Sequence, residues 1–333
     1  MALSEAYLDS TSKVMKNQVA DRITLQESFV DVASLESLVK GYILNCRCEG
    51  KSKVTVDTYE QILRRFLRFS RANGYPDEPQ KTTPIHIRGF LWYLASESNR
   101  WGSDNAASRK PACQSTVNHY YRVLNTFFGW LAKEGFITNN PVAHLKKPKV
   151  EHKVVQALSP AEIVRLLDAC SGKSVLDVRN KAILCVLLDT GLRVSELANL
   201  KLEDVDTKTG AILVRHGKGS KQRIVRIGSK AQKALWRYVT IYRRSDTDAL
   251  FLKRSGEPLD AVGFKILIRR LSNKASVKIY AHKLRHTFAI SYLRNGGDVF
   301  ILQHLLGHAT LQMTQYYLQR PTGYESRKGY GII

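Results

Sequence analysis

Apolar residues recur at helical spacing through most of this chain and alternate at strand spacing in one place only. Leu35–Leu44 and Val56–Gly74 are the first two helical runs. In the second, Tyr59, Ile62, Leu63, Phe66, Leu67 and Phe69 form an amphipathic stripe, with Arg64, Arg65, Arg68 and Arg71 on the other faces. Asn73-Gly74 ends that run. Pro84–Ser96 predicts a third helix, with proline suited to its first turn, and Ser115–Glu134 a fourth that stops at Gly135. A polar loop, 99–111, separates these two. Residues 1–30 are polar and weakly patterned, an N-terminal extension. Residues 31–140 thus read as a small helical domain. The proline-bearing, lysine-rich stretch 141–157, with Lys146, Lys147 and Lys149, reads as a basic linker.

The second half opens on Ser159-Pro160-Ala161-Glu162, a capping box with proline at the first helical position. A helix is expected through Ala169, then a very apolar one over 177–188, broken at Thr190-Gly191. Leu192–Leu197 starts a new turn. Ala211–His216 alternates, Gly217–Ser220 turns, and Lys221–Ile227 returns, which predicts a β-hairpin. Helices over 229–243 and 258–275 follow. His282–Leu293 carries a buried side and ends at Gly296-Gly297. Asp298 caps a short helix that stops at Gly307, and Thr310–Leu318 is a last helical run holding Tyr316 and Tyr317. The class is mainly α with a small β-sheet: a helical first domain and a mixed α/β second domain over 158–320, with a tail, 321–333.

Charge narrows the function. The net charge is +23, and it is uneven: residues 1–150 hold 21 Lys/Arg against 14 Asp/Glu, residues 151–333 hold 31 against 15. Basic residues interspersed with apolar ones make a folded basic surface, whose usual partner is nucleic acid. No run of apolar residues is long enough to span a membrane, and the N-terminus lacks the charged-then-apolar order of a signal peptide. A cytoplasmic protein is expected. Its five cysteines form no CxxC pair and no zinc spacing, so reduced thiols and no metal site are expected.

Arginines and histidines set on consecutive short helices of a basic chain ask for a phosphate to work on. Attack at a phosphodiester builds negative charge on the non-bridging oxygens, and fixed guanidinium groups, each able to hold two oxygens, suit it. Arg193 and Arg285 are candidates, each at a helix start beside other polar groups. A tyrosine hydroxyl can attack to give a phosphotyrosine, which conserves the bond energy and needs no nucleotide cofactor. A lysine or histidine must then protonate the departing 5′ oxygen. Lys218, at the hairpin tip, can reach into a site, and Lys221 is its rival; His282 and His308 can position the phosphate and shuttle protons. Arg64, Arg65, Arg68, Lys146, Lys147, Lys221 and Arg223 are candidates to track a DNA backbone. A solvated helix face over an aromatic core gives the same pattern at any one of the helical arginines.

Five blocks carry a resemblance: TGLRVSEL (Thr190–Leu197), GKGSKQRIVRI (Gly217–Ile227), HKLRHTFA (His282–Ala289), LLGHA (Leu305–Ala309), and Tyr317 nine residues after His308. In order and interval they resemble the tyrosine recombinases of the phage-integrase family, most closely its bacterial Xer-type members. The resemblance spans roughly 33–320. It implies a SAM-like core-binding domain and a catalytic domain that clamp DNA between them. It implies Arg193 and Arg285 as a phosphate clamp, Lys218 as general acid, His282 and His308 as phosphate-binding and acid/base residues, and Tyr317 as nucleophile, with Glu196 in support. The nine-residue interval selects Tyr317 over Tyr316. The implied activity is site-specific strand cleavage and rejoining through a 3′-phosphotyrosine, without metal, ATP or other cofactor. A homotetramer on two duplexes is implied, with accessory DNA-bending proteins as further partners; DNA integration, movement of a mobile element and resolution of replicon dimers all stay open as its service. The alternatives are a type IB-like topoisomerase and a catalytically silent DNA-binding regulator. A metal-dependent nuclease would want a carboxylate cluster, and the acids here are scattered.

Overall fold

A computed structural model describes residues 34–98, 109–150, 156–215, 222–308, 310 and 314. Lys218, Lys221, Tyr316, Tyr317, the N-terminal extension and the C-terminal tail lie outside the described residues. The chain divides into two compact units between residues 153 and 154.

The first unit is built on four helices: α1 (Leu35–Cys48), α2 (Lys53–Ala72), α3 (Pro84–Ser96) and α4 (Gln114–Lys133). Ser34 and Ser52 cap α1 and α2 by accepting from backbone N–H groups three residues on. The expected stripe on α2 is buried at Ile62, Leu63, Phe66, Leu67 and Phe69. Its rings meet those of α3 and α4: Phe66 lies edge-on to Phe90 with centroids 5.3 Å apart, and to Phe128 at 6.0 Å. Burying one such ring stabilises by roughly 1.5–3 kcal/mol, and an edge-to-face pair adds about 0.5–1.5 kcal/mol.

The stretch read as a linker begins inside this core. Val142 and Leu145 are buried in it. Tyr121 donates its hydroxyl hydrogen to the Leu145 carbonyl at 3.0 Å, and Asn118 its amide to the Pro148 carbonyl at 2.7 Å. Residues 141–148 therefore belong to the first unit, because the buried Val142 and Leu145 side chains and the hydrogen-bonded Leu145 and Pro148 carbonyls tie them down. Lys146 and Lys147 stay exposed between those anchors.

The second unit starts with α5 (Pro160–Asp168), where Ser159 and Glu162 form the expected reciprocal cap at 3.2 and 2.8 Å. Helix α6 (Val175–Thr190) is buried on nearly all sides and forms the centre of the unit. It ends at Gly191, whose φ of 60° is left-handed; a Cβ there would meet the Phe288 ring at 2.5 Å. The short α7 (Val194–Ala198) follows.

The hairpin is part of a three-stranded antiparallel sheet, β1 (Val205–Asp206), β2 (Ala211–Val214) and β3 (Arg223–Arg226), in that order. Strand β1 has two residues, too few to show an alternating signal. Ile212 pairs with Val225 and Val214 with Arg223 on the buried face. Helix α8 (Ser229–Arg237) runs into a wider π-turn, Tyr238–Tyr242. Helix α9 (Ala261–Lys274) is followed by α10 (Ala281–Arg294) and α11 (Val299–Leu306). Asp298 caps α11 through Phe300 and Ile301, and Gly307 ends it at φ 61°.

Candidate active site

The last turn of α11 organises the site. A helix leaves its final carbonyls without intrahelical partners, and they carry partial negative charge. Here three consecutive carbonyls each hold a different arginine. Arg223 donates Nε to Leu305 at 2.7 Å, Arg285 donates Nη2 to Leu306 at 2.6 Å, and Arg193 donates Nη2 to Gly307 at 2.9 Å. Arg285 also donates Nη1 to the Gly191 carbonyl at 2.9 Å, just past the end of α6. Two helix ends, each closed by a left-handed glycine, thus fix the guanidinium groups.

Glu196 locks the other side. Its Oε1 accepts from Arg193 Nη1 at 2.7 Å and Arg223 Nη1 at 3.0 Å; its Oε2 accepts from Arg223 Nη2 at 2.7 Å and from the Arg193 backbone N–H at 2.9 Å. Burial alone would raise the Glu196 carboxyl, but the hydrogen bonds and charges of Arg223 and Arg193 hold it below its ordinary value. Arg193 alone of the ion pair's two arginines reaches solvent, with its side chain 26% exposed against 3% for Arg223.

The histidines gather on the same arginines. Burial, then the charges of Arg285 and Arg193, hold His282 below the ordinary imidazole value. The same causes, with small contributions from His282 and His286, push His308 down to about 4. Both imidazoles are therefore neutral at pH 7. His308 Nδ1 lies 2.9 Å from the hydroxyl of the buried Thr314. The His282 ring stands edge-on to His286, one turn further along α10, with centroids 4.6 Å apart.

Of the six residues expected to carry chemistry, Arg193, His282, Arg285 and His308 come together, with Glu196 beneath them. Lys218 and Tyr317 lie outside the described residues. The expectation that Arg223 contacts DNA is corrected: its guanidinium is buried against Glu196 and the Leu305 carbonyl, leaving no face for a phosphate. The sequence held the signal, since Arg223 shares strand parity with the buried Val225. Thr314, His286 and the three carbonyls of α11 were not anticipated. His286 stands four residues after His282 and could have been read from helical spacing; backbone carbonyls leave no mark on a sequence. In the first unit, Arg64 is exposed and paired with Glu60 at 2.6 Å, Arg65 donates to the Tyr120 hydroxyl at 2.5 Å, and Arg68 is exposed.

Chemically, this is an anion-holding arrangement: fixed guanidiniums beside neutral imidazoles that can donate or accept a proton. Among the described residues, no group of three or more His, Cys, Asp or Glu is placed to hold a metal ion.

Residues 156–322 match the phage integrase family, and residues 38–137 match the N-terminal SAM-like domain of phage integrases. The chain belongs to the phage integrase family. It is 35% identical to the tyrosine recombinase XerC of Thermodesulfovibrio yellowstonii, over 81% of this chain and 86% of that one. It is 32% identical to the tyrosine recombinase XerD of Oceanobacillus iheyensis, over 85% and 93%. Its fold is similar to that of a lambda integrase dimer bound to a COC′ core site, with a TM-score of 0.68 at 20% identity, covering 89% of this chain and 99% of that one.

Proposed function

We propose that this chain is a site-specific DNA recombinase that cuts and rejoins strands through a covalent 3′-phosphotyrosine. The observation that carries the reading is the anchoring of Arg193 and Arg285 on helix-end carbonyls, beside two neutral histidines, in a member of the phage integrase family. Preorganised guanidiniums hold the scissile phosphate and stabilise charge on its non-bridging oxygens. Tyr317 attacks phosphorus, the 5′ oxygen leaves with a proton from Lys218, and the bond energy stays in the phosphotyrosine ester until another 5′ hydroxyl reverses the step. His282 and His308, kept neutral, bind the phosphate and exchange protons with it. In this reading the first unit embraces the core site and the second performs the chemistry.

Exchange between two duplexes takes four cuts, hence a homotetramer, with accessory DNA-bending proteins as further partners. An open groove of about 620 Å3 supports a contact between protomers; Thr190, Ile224, Phe288, Tyr292 and Leu305 line it. Residues 318–333 of a neighbour are the proposed occupant, and a truncation after Arg320 should abolish synapsis while sparing DNA binding.

Supercoiled plasmid carrying two copies of the selected binding site tests the activity. Recombinant circles or deletion products are expected. Relaxed topoisomers alone would instead mark a topoisomerase, and binding without any strand breakage a silent regulator.

A further inference from the structure

A second basic site stands at the far end of α6. Arg179 and Thr190 are eleven residues apart on that helix, roughly 17 Å at about 1.5 Å per residue, so a ligand beside Arg179 does not touch the arginines already described. There an open cavity of about 600 Å3 is lined by Arg179, Arg243, Arg244, Lys253 and Arg254, and by no carboxylate. Ser174, which caps the positive end of α6, shares the wall.

Arg179 is buried, yet its guanidinium meets neutral acceptors. Nη1 donates to the Leu252 carbonyl at 2.6 Å; Nη2 and Nε donate to Asn180 Oδ1 at 2.9 and 3.2 Å. Among the described residues no acid pairs with it, and burial lowers its pKa. Arg243 is held in the same way, by the carbonyls of Ser245, Thr247 and Ala249. Acids stand near two of the other cations: Lys253 has Glu257 at 3.7 Å and Asp260 at 3.6 Å, and the charge of Arg243 acts on Asp248. Taking a charge out of water is costly, and buried charges are ordinarily paired. For Arg179 the protein supplies the cation and the cavity but not the anion.

We propose that this cavity binds a soluble ligand bearing a di- or triphosphate. Arg179 is the buried anchor, and Arg244 and Arg254 close over the phosphate oxygens from the rim. The volume falls in the range of small-molecule sites, about 300–1,000 Å3, and guanidinium forks match paired phosphate oxygens. The inference does not depend on the recombinase reading.

Calorimetric titration of pyrophosphate into the full chain tests it, in an Arg193→Gln background that disables the other phosphate-holding cluster. Saturable one-site binding is expected, weakened about tenfold or more, the scale of one lost charge-assisted contact, in Arg244→Glu/Arg254→Glu. Both of those side chains are exposed, so the double variant should fold. Pyrophosphate should also raise Tm, and Arg179→Met should lose that rise; if Arg179→Met does not fold, the rim variant decides. The proposal is overturned by the absence of saturable binding, by unchanged affinity in the rim variant, or by displacement of pyrophosphate by non-specific duplex.

Discussion

Arg193 is held by Glu196 and Gly307 and keeps a solvent-facing edge, which in the proposed mechanism meets the phosphate. Lysine keeps the charge but not the planar fork, so Arg193→Lys should lower cleavage by about 10²-fold or more, the scale of a lost oxyanion donor. Near-normal cleavage would count against the clamp. Arg223 works one step back. Replacing it with Met leaves Glu196 buried with one partner, a change of the kind that costs about 3–5 kcal/mol, and a denaturant titration should show it; a loss well below 1 kcal/mol would mean the pair is dispensable. His308 gives a pH signature. Its folded value, about 4, lies below its ordinary 6.5, so between those values the unfolded chain binds more protons. Stability must then fall as pH drops through that window. The wild type should lose Tm more steeply than His308→Gln between pH 7 and 5, and parallel curves would show that the imidazole is not held neutral.

At the scale of elements, the two glycine-closed helix ends matter most. Gly307 is left-handed, and a Cβ there would lie 3.2 Å from Arg223 Nη1 and 3.4 Å from Arg193 Nη1. Gly307→Ala should cost about 1–2 kcal/mol in backbone strain and lower cleavage by pressing on the Arg223 guanidinium that holds Glu196; a loss of stability with cleavage intact would separate the turn from the site. Helix positions were legible because their signals are local. The α2 stripe, the Ser159–Glu162 cap and the Asp298 cap each needed only neighbouring residues. Gly307 was legible as a stop but not as a turn that presents three carbonyls to three arginines, because that function belongs to the backbone and to partners 21 to 114 residues away. Strand β1 escaped for want of length, and the burial of Arg223, legible in its parity with Val225, was outweighed in the reading by its charge.

For the whole molecule, family membership was readable from five short blocks taken together, since their order and interval can be read without knowing the packing between them. The end of the first unit was not, because Val142 and Leu145 look like any apolar residues in a proline-rich stretch until the core that receives them is known. DNA affinity belongs to this scale too. With a net charge of +23, log affinity should fall linearly with log salt, by about 0.9 per phosphate neutralised, and Lys146→Ala/Lys147→Ala should flatten that slope. The central claim, that one tyrosine becomes esterified to a DNA strand end on this arginine platform, is tested most directly by trapping the adduct. With a nicked duplex carrying the target site, in chelator, a denaturant-resistant protein–DNA species should form with the wild type and with Tyr316→Phe, and be absent with Tyr317→Phe. An adduct that persists in Tyr317→Phe, or that never forms without added metal, would contradict the account.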